Sequence, residues 1–127
     1  MDLKKIDANF RDERGDITDI LANEPIEFVT MISSKAGSVR GNHYHKETSQ
    51  WVFMLSGKIR VCAKSEGSKL QENLIIKGDL ILNKPYEQHA FEAIEDSKFL
   101  VFTRGPRGGD NYEDDTYRIE IPLIRPK

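Results

Sequence analysis

Cysteine is almost absent from this chain: Cys62 is the only one among 127 residues, which excludes an internal disulfide framework. A lone thiol suits a reducing compartment, so a cytoplasmic protein is expected. Long apolar runs are missing too. The densest, Trp51–Leu55, is far shorter than the ~20 residues that a membrane-spanning helix needs. The opening MDLKKIDANF has no apolar core of the kind a secretory signal carries. Neither sign of charge dominates, with 19 Lys and Arg against 21 Asp and Glu and a formal net charge of -2. Bulk attraction to nucleic acid or to an anionic membrane is therefore not expected, and neither is an expected partner. Histidine is scarce as well, at three residues, yet His43 and His45 stand one residue apart.

What the chain does have is a succession of short β-rich segments separated by turn formers. Glu27–Ser33 is followed by the cluster SKAG, and QWVFMLS runs to Gly57. KIRVCAK alternates Ile59, Val61 and Ala63 against Arg60, Cys62 and Lys64, the period of a half-buried strand. LQENLIIKGDLILNKP supplies two more strands around Lys77-Gly78-Asp79, and HAFEAIE and KFLVFTR complete the set. No window keeps a helical period. A length of 127 residues fits one domain, spanning 1–127, and evenly spaced strands predict an all-β, closed or double-sheet antiparallel fold. NFRDERGDITDILANEP reads as an edge hairpin. The end, with Tyr117, Ile119, Ile121 and Leu123 alternating, reads as a last strand that pairs with its own sheet or with a partner's edge.

Residues two apart on a strand face the same side, so His43 and His45 present both rings to one wall. An antiparallel barrel can bring His89, from KPYEQHAFEA, to face them. Three imidazoles and the oxygen of Gln50 form a reasonable ligand set for zinc, nickel, manganese or iron. The same imidazoles, with an ordinary pKa of about 6.5, also suit proton transfer near neutral pH. Arg40, just before the pair, is the candidate for binding a diphosphate through paired hydrogen bonds.

The spacing Gly37-x5-His43-x-His45-x4-Gln50-x6-Gly57 resembles the first motif of the cupin superfamily, with Gln50 where that motif has glutamate. Gly78, Pro85 and His89 follow its second motif in order, with Glu87 near the expected glycine. The resemblance implies a double-stranded β-helix, the cupin jelly-roll barrel. DERGDITDI, RGNHYHK and QWVFMLSGKIRV look like the small cupins that act on nucleotide sugars. These are dTDP-4-dehydro-6-deoxyglucose 3,4-ketoisomerases, dTDP-4-dehydrorhamnose 3,5-epimerases and the metal-binding cupin end of capsular-polysaccharide biosynthesis enzymes. The aromatic residues such ketoisomerases place before the HxH segment are absent from EFVTMISS. The resemblance implies an isomerase or epimerase of a 4-keto-6-deoxy sugar nucleotide, with His43 and His45 moving protons and either a divalent metal or none. The edge strands that a small barrel must cover and the β-rich tail YRIEIPL point to a homodimer. Two other readings stay open: a metal-dependent oxygenase or lyase, and a non-catalytic sugar- or metabolite-binding cupin.

Blander roles are expected elsewhere. Tyr44 should face away from the histidines and pack. Trp51, Phe53 and Leu55 should serve core or interface, Cys62 should pack quietly, and GDNYEDD should be a solvated loop.

Overall fold

The period-two patterns produce strands almost throughout. The computed structural model describes residues 1–127 and has no α-helix. Its strands are β1 (Asp2–Lys5), β2 (Phe10–Asp12), β3 (Gly15–Ile17), β4 (Phe28–Ser34), β5 (Val39–Tyr44) and β6 (Ser49–Ser56). They continue with β7 (Lys58–Lys64), β8 (Gln71–Ile76), β9 (Asp79–Asn83), β10 (Gln88–Ala93), β11 (Ser97–Arg104) and β12 (Tyr117–Arg118). Two five-stranded antiparallel sheets, ordered β1-β9-β6-β11-β4 and β12-β5-β10-β7-β8, enclose one interior. The fold is all-β, the expected jelly roll.

The core forms where the inward positions of both sheets are apolar. Val52, Met54, Ile59, Val61, Ile75, Ile81, Ala93, Phe99 and Val101 make one buried cluster. Gly57, with φ of +87°, turns β6 into β7 in a space where a Cβ would collide with the backbone of Asp96 and Ser97. The expected hairpin is there as β2 and β3, a separate two-stranded ribbon.

Two segments differ from expectation. The polar-looking start forms β1, which pairs with β9 through Leu3 opposite Ile81 and packs Leu3 on the core. The last strand is shorter than the alternation suggests, because only Tyr117 and Arg118 pair, and they pair with β5 of the same chain. Beyond them the tail leaves the ladder and lays Ile124 over Cys62 and Ala90 on the outer side of the sheet. Cys62 accordingly packs, as expected of it.

Candidate active site at the polar end of the barrel

Each strand lining the interior changes character along its length. The inward residues run Gln50, Val52, Met54 on β6; Asn83, Ile81 on β9; Thr103, Val101, Phe99 on β11; and His89, Phe91, Ala93 on β10. Register brings the polar members level. Gln50 is opposite both Asn83 and Thr103 in one sheet, and His89 is opposite His43 in the other. One end of the barrel is hydrocarbon; the other gathers His43, His45, Gln50, Asn83, His89 and Thr103, all buried.

A bulge in β5 makes this arrangement fit. His89 pairs with His43 and Ala90 with Gly41, which leaves Asn42 as the extra residue, at φ of +57°. A Cβ on Gly41 would lie 2.8 Å from the His89 carbonyl oxygen, so glycine lets the two strands close beside the histidines. The Asn42 side chain anchors the tail: Nδ2 donates to the Ile124 carbonyl at 2.8 Å, and Oδ1 accepts from the Leu123 amide at 2.8 Å.

The three rings form a compact group. Centroids are 4.9 Å apart for His43–His45, 4.8 Å for His43–His89 and 5.1 Å for His45–His89. Two rings have fixed tautomers, because the neighbours of their Nδ1 atoms are carbonyl oxygens that only accept. His45 Nδ1 donates to the Asp115 carbonyl at 2.8 Å, and His89 Nδ1 donates to that of Glu87 at 3.1 Å. Each Nε2 is thereby left with a lone pair. Burial holds the rings neutral: His43 is pushed down to about 2 and His89 to about 3, and a proton on one ring would also be repelled by a proton on the next and by Arg107. His45 is lowered as well, mainly by burial, against the opposing pull of the Asp115 carbonyl.

The wall beside the rings comes from the segment that reads as a solvated acidic loop. Asp115, its last residue, accepts from the amides of Lys46, Glu47 and Thr48, each at 2.9 Å, and from the Thr48 hydroxyl at 2.7 Å. Burial works against its charge, but these bonds outweigh it and keep the carboxyl below its usual range. Asp115 thus fixes the turn after His45 while its own carbonyl orients the ring. Nothing in the local sequence separates it from the acidic residues around it. Its role comes from long-range contact alone.

The cations acting on the site are also not the expected one. The charge of Arg107 bears on all three histidines, and that of Arg118 on His43, its register partner. Arg107 is half-buried and donates from Nε to Thr116 at 3.0 Å. The structure does not bring Arg40 into this group: its guanidinium bonds Ser34 Oγ at 2.9 Å and the Ser33 carbonyl at 3.0 Å, tying β5 to β4. Tyr44 turns outward as expected and stacks with Tyr117 and Tyr86 at 5.4 and 6.3 Å.

Several polar atoms here have no protein partner: His43 Nδ1, His45 Nε2 and both ends of the Asn83 carboxamide. Leaving a buried polar group unpaired costs about 1–3 kcal/mol. A core built only for stability would not keep four such atoms level with one another. Candidate ligand nitrogens of His43, His45 and His89 lie within 4.8 Å of one another. Neutral rings, tautomers set by carbonyls and free lone pairs are what a divalent transition metal requires, so these residues fit one. Gln50, its Nε2 donating to Thr103 at 3.4 Å, keeps its oxygen as a fourth donor.

A family model described as the polysaccharide biosynthesis C-terminal domain matches residues 10–117. The chain belongs to that family. Among solved structures, this polysaccharide biosynthesis C-terminal domain is similar to the sugar 3,4-ketoisomerase QdtA from Thermoanaerobacterium thermosaccharolyticum in complex with TDP. The TM-score is 0.75 at 20% identity, over 94% of this chain and 88% of that one. It is similar to the dTDP-4-dehydrorhamnose 3,5-epimerase from Sulfolobus tokodaii, with a TM-score of 0.68 at 23% identity over 85% and 72% of the two chains. It also resembles the capsular polysaccharide assembling protein CapF from Staphylococcus aureus, with a TM-score of 0.66 at 21% identity over 91% of this chain but 33% of that one. No curated protein matches the domain by sequence. The structural likenesses establish the cupin fold.

Proposed function

We propose that this domain isomerises or epimerises a 4-keto-6-deoxy sugar nucleotide in surface-polysaccharide synthesis. The observation that carries the reading is the group of three buried, neutral histidines at one end of a cupin barrel. Family membership and the likeness to QdtA and the 3,5-epimerase support it. Moving a carbonyl or inverting a neighbouring carbon requires removal of a proton next to the carbonyl and its return elsewhere. His43, neutral and with Nδ1 unpartnered, takes the proton, and His45 on the same wall returns one. Arg107 and Arg118, whose charge reaches the histidines while Arg40 is held at Ser33 and Ser34, are the cations proposed to meet a bound phosphate.

Incubating the protein in D2O with dTDP- and UDP-4-keto-6-deoxyglucose tests this by mass spectrometry. Deuterium should enter the sugar ring. A panel that neither exchanges nor binds sinks the assignment.

A second reading has an observation of its own: the carbonyl-anchored Nδ1 atoms of His45 and His89. His43, His45, His89 and Gln50 would hold a divalent metal, which supplies a Lewis acid for the sugar's carbonyl oxygen. A histidine whose lone pair is bound to metal cannot also act as a base. Elemental analysis of protein purified without chelator separates the two uses: stoichiometric metal favours ligation, and refusal of zinc, nickel, manganese and iron excludes it.

Homodimerisation belongs to the same proposal, as does a place in the cytoplasm, where Cys62 stays a free thiol. The tail is engaged by its own sheet, so the support for a dimer is elsewhere. Val29 and Met31 are 62% and 64% exposed on the outer face of β4, next to Phe102 and Leu100 of β11. Such a stripe on a sheet marks a contact surface. Light scattering should give a dimer that Met31→Lys converts to monomer; a monomeric parent chain at micromolar concentration refutes it.

A further inference from the structure

Asn83 has no part in the chemistry above, yet it is the most fully buried carboxamide in the barrel, at 0% exposure. Neither its Nδ2 nor its Oδ1 meets a protein partner. Its place is set by register. It is the last residue of β9, opposite Gln50, which in turn is opposite Thr103. Gln50 already donates to Thr103, and its carboxamide lies beside His45, where it favours the charged ring. One step down β9, at the next inward position, Ile81 is wholly within the apolar core. The change from hydrocarbon to an unsatisfied carboxamide therefore occurs level with the histidines. Leucine, of similar size, would fill the same position without an unpaired donor or acceptor.

The group's chemistry narrows what it meets. A carboxamide is neutral and offers a donor and an acceptor about two bond lengths apart, so it has no special attraction for a diphosphate. Adjacent oxygens on a sugar ring, one a hydroxyl and the next a hydroxyl or ketone, match both its ends. Its amide nitrogen is not a metal ligand. We propose that Asn83 is a specificity-determining residue that binds the sugar ring: Nδ2–H donates to one ring oxygen, and Oδ1 accepts from a neighbouring hydroxyl. This inference rests on the nucleotide-sugar reading for its ligand class. Sites built to hydrogen-bond a substrate hydroxyl discriminate strongly, because the partner is left unpaired when the hydroxyl is missing.

Binding measurements on whole, folded protein test it, with dTDP- and UDP-4-keto-6-deoxyglucose and the bare diphosphates TDP and UDP as probes. The variants are Asn83→Leu, which fills the space, and Asn83→Ala, which does not depend on leucine being accommodated. Each should weaken the sugar nucleotide about 5- to 150-fold, the range for loss of one or two hydrogen bonds. Affinity for the diphosphate should stay within about twofold, and the melting temperature of the leucine variant should hold or rise. Unchanged sugar-nucleotide affinity in a folded variant overturns the inference and leaves Asn83 as the holder of an internal water. Equal weakening of sugar nucleotide and diphosphate overturns it too, by showing a general disturbance of the site. A parent chain that binds sugar nucleotides and loses none of that affinity in the variants leaves the functional reading standing; one that binds no probe overturns both.

Discussion

The two ends of this barrel are made by the same strands and differ in what they leave unsatisfied. At one end Val52, Met54, Ile81, Phe99 and Val101 bury hydrocarbon against hydrocarbon. The one inward charge there, Asp79, is answered by Lys5 at 2.7 Å and the Ile76 amide at 2.9 Å. At the other end, four residues farther along β6 and β9, His43, His45 and Asn83 are just as buried but carry atoms with no protein partner. Packing accounts for the first end. It does not account for the second, where unpaired lone pairs and donors lower stability and make sense as binding groups. Stability therefore resides at one end and chemistry at the other: a substitution at the first should move the melting temperature, and at the second the activity.

The largest expected effect on stability is at the hydrocarbon end. Met54→Ala should cost about 2–5 kcal/mol by urea unfolding, through lost transfer energy and the cavity left behind. Residual folded protein should still bind substrate as the parent does. A loss under ~1 kcal/mol would mean that the apolar end is not the foundation of the fold.

Acid should act on the polar end. His43 and His89 have folded pKa values near 2 and 3, below the ordinary 6.5, so between those limits the unfolded chain binds more protons. Stability is therefore fully present above about pH 6.5 and falls as pH drops toward the folded values. The slope is at most about 1.4 kcal/mol per pH unit for each histidine. Unfolding midpoints of chelator-treated protein, taken from about pH 8 to pH 5, give that slope. His43→Asn should reduce it by one histidine's share; an unchanged slope would place the titration elsewhere.

Asp115→Ala should have a smaller and more selective consequence. Releasing the turn at Lys46–Thr48 should lower activity or metal affinity about 10- to 100-fold, the usual range for a group that orients a site histidine. Kinetics and metal titration on folded protein check this, and unaltered values in both would reduce Asp115 to a loop anchor.

Much of this architecture was legible in the sequence, for physical reasons that also mark the limits. Period-two alternation and turn formers located β4 and β6 to β11, and the spacing of His43, His45, Gln50 and His89 placed four residues at one end of a barrel. Alternation did not reveal β1, because its exposed Asp2 and Lys4 surround a single inward apolar residue, Leu3. It also overstated β12, since beyond Arg118 the tail is held at Ile119 and Leu123 by Asn42, with Ile121 exposed between them, rather than by a ladder. Arg107, Asp115 and Asn83 were silent for a common reason. Their roles arise from contacts that only the closed barrel makes: Asp115 with Lys46–Thr48, Asn83 level with Gln50, and Arg107 beside the histidines. Arg40 was the opposite case, near the histidines in sequence but drawn to Ser33 and Ser34 in space.

The contrast between the two ends reduces to one variant measured twice. His43→Asn removes the unpartnered imidazole while keeping a polar group of smaller size. Its rate of solvent-deuterium incorporation into a 4-keto sugar nucleotide should fall by roughly two to four orders of magnitude. Its melting temperature should stay near that of the parent, because the hydrocarbon end is untouched. A folded His43→Asn protein that exchanges deuterium within a few-fold of the parent rate would contradict the account.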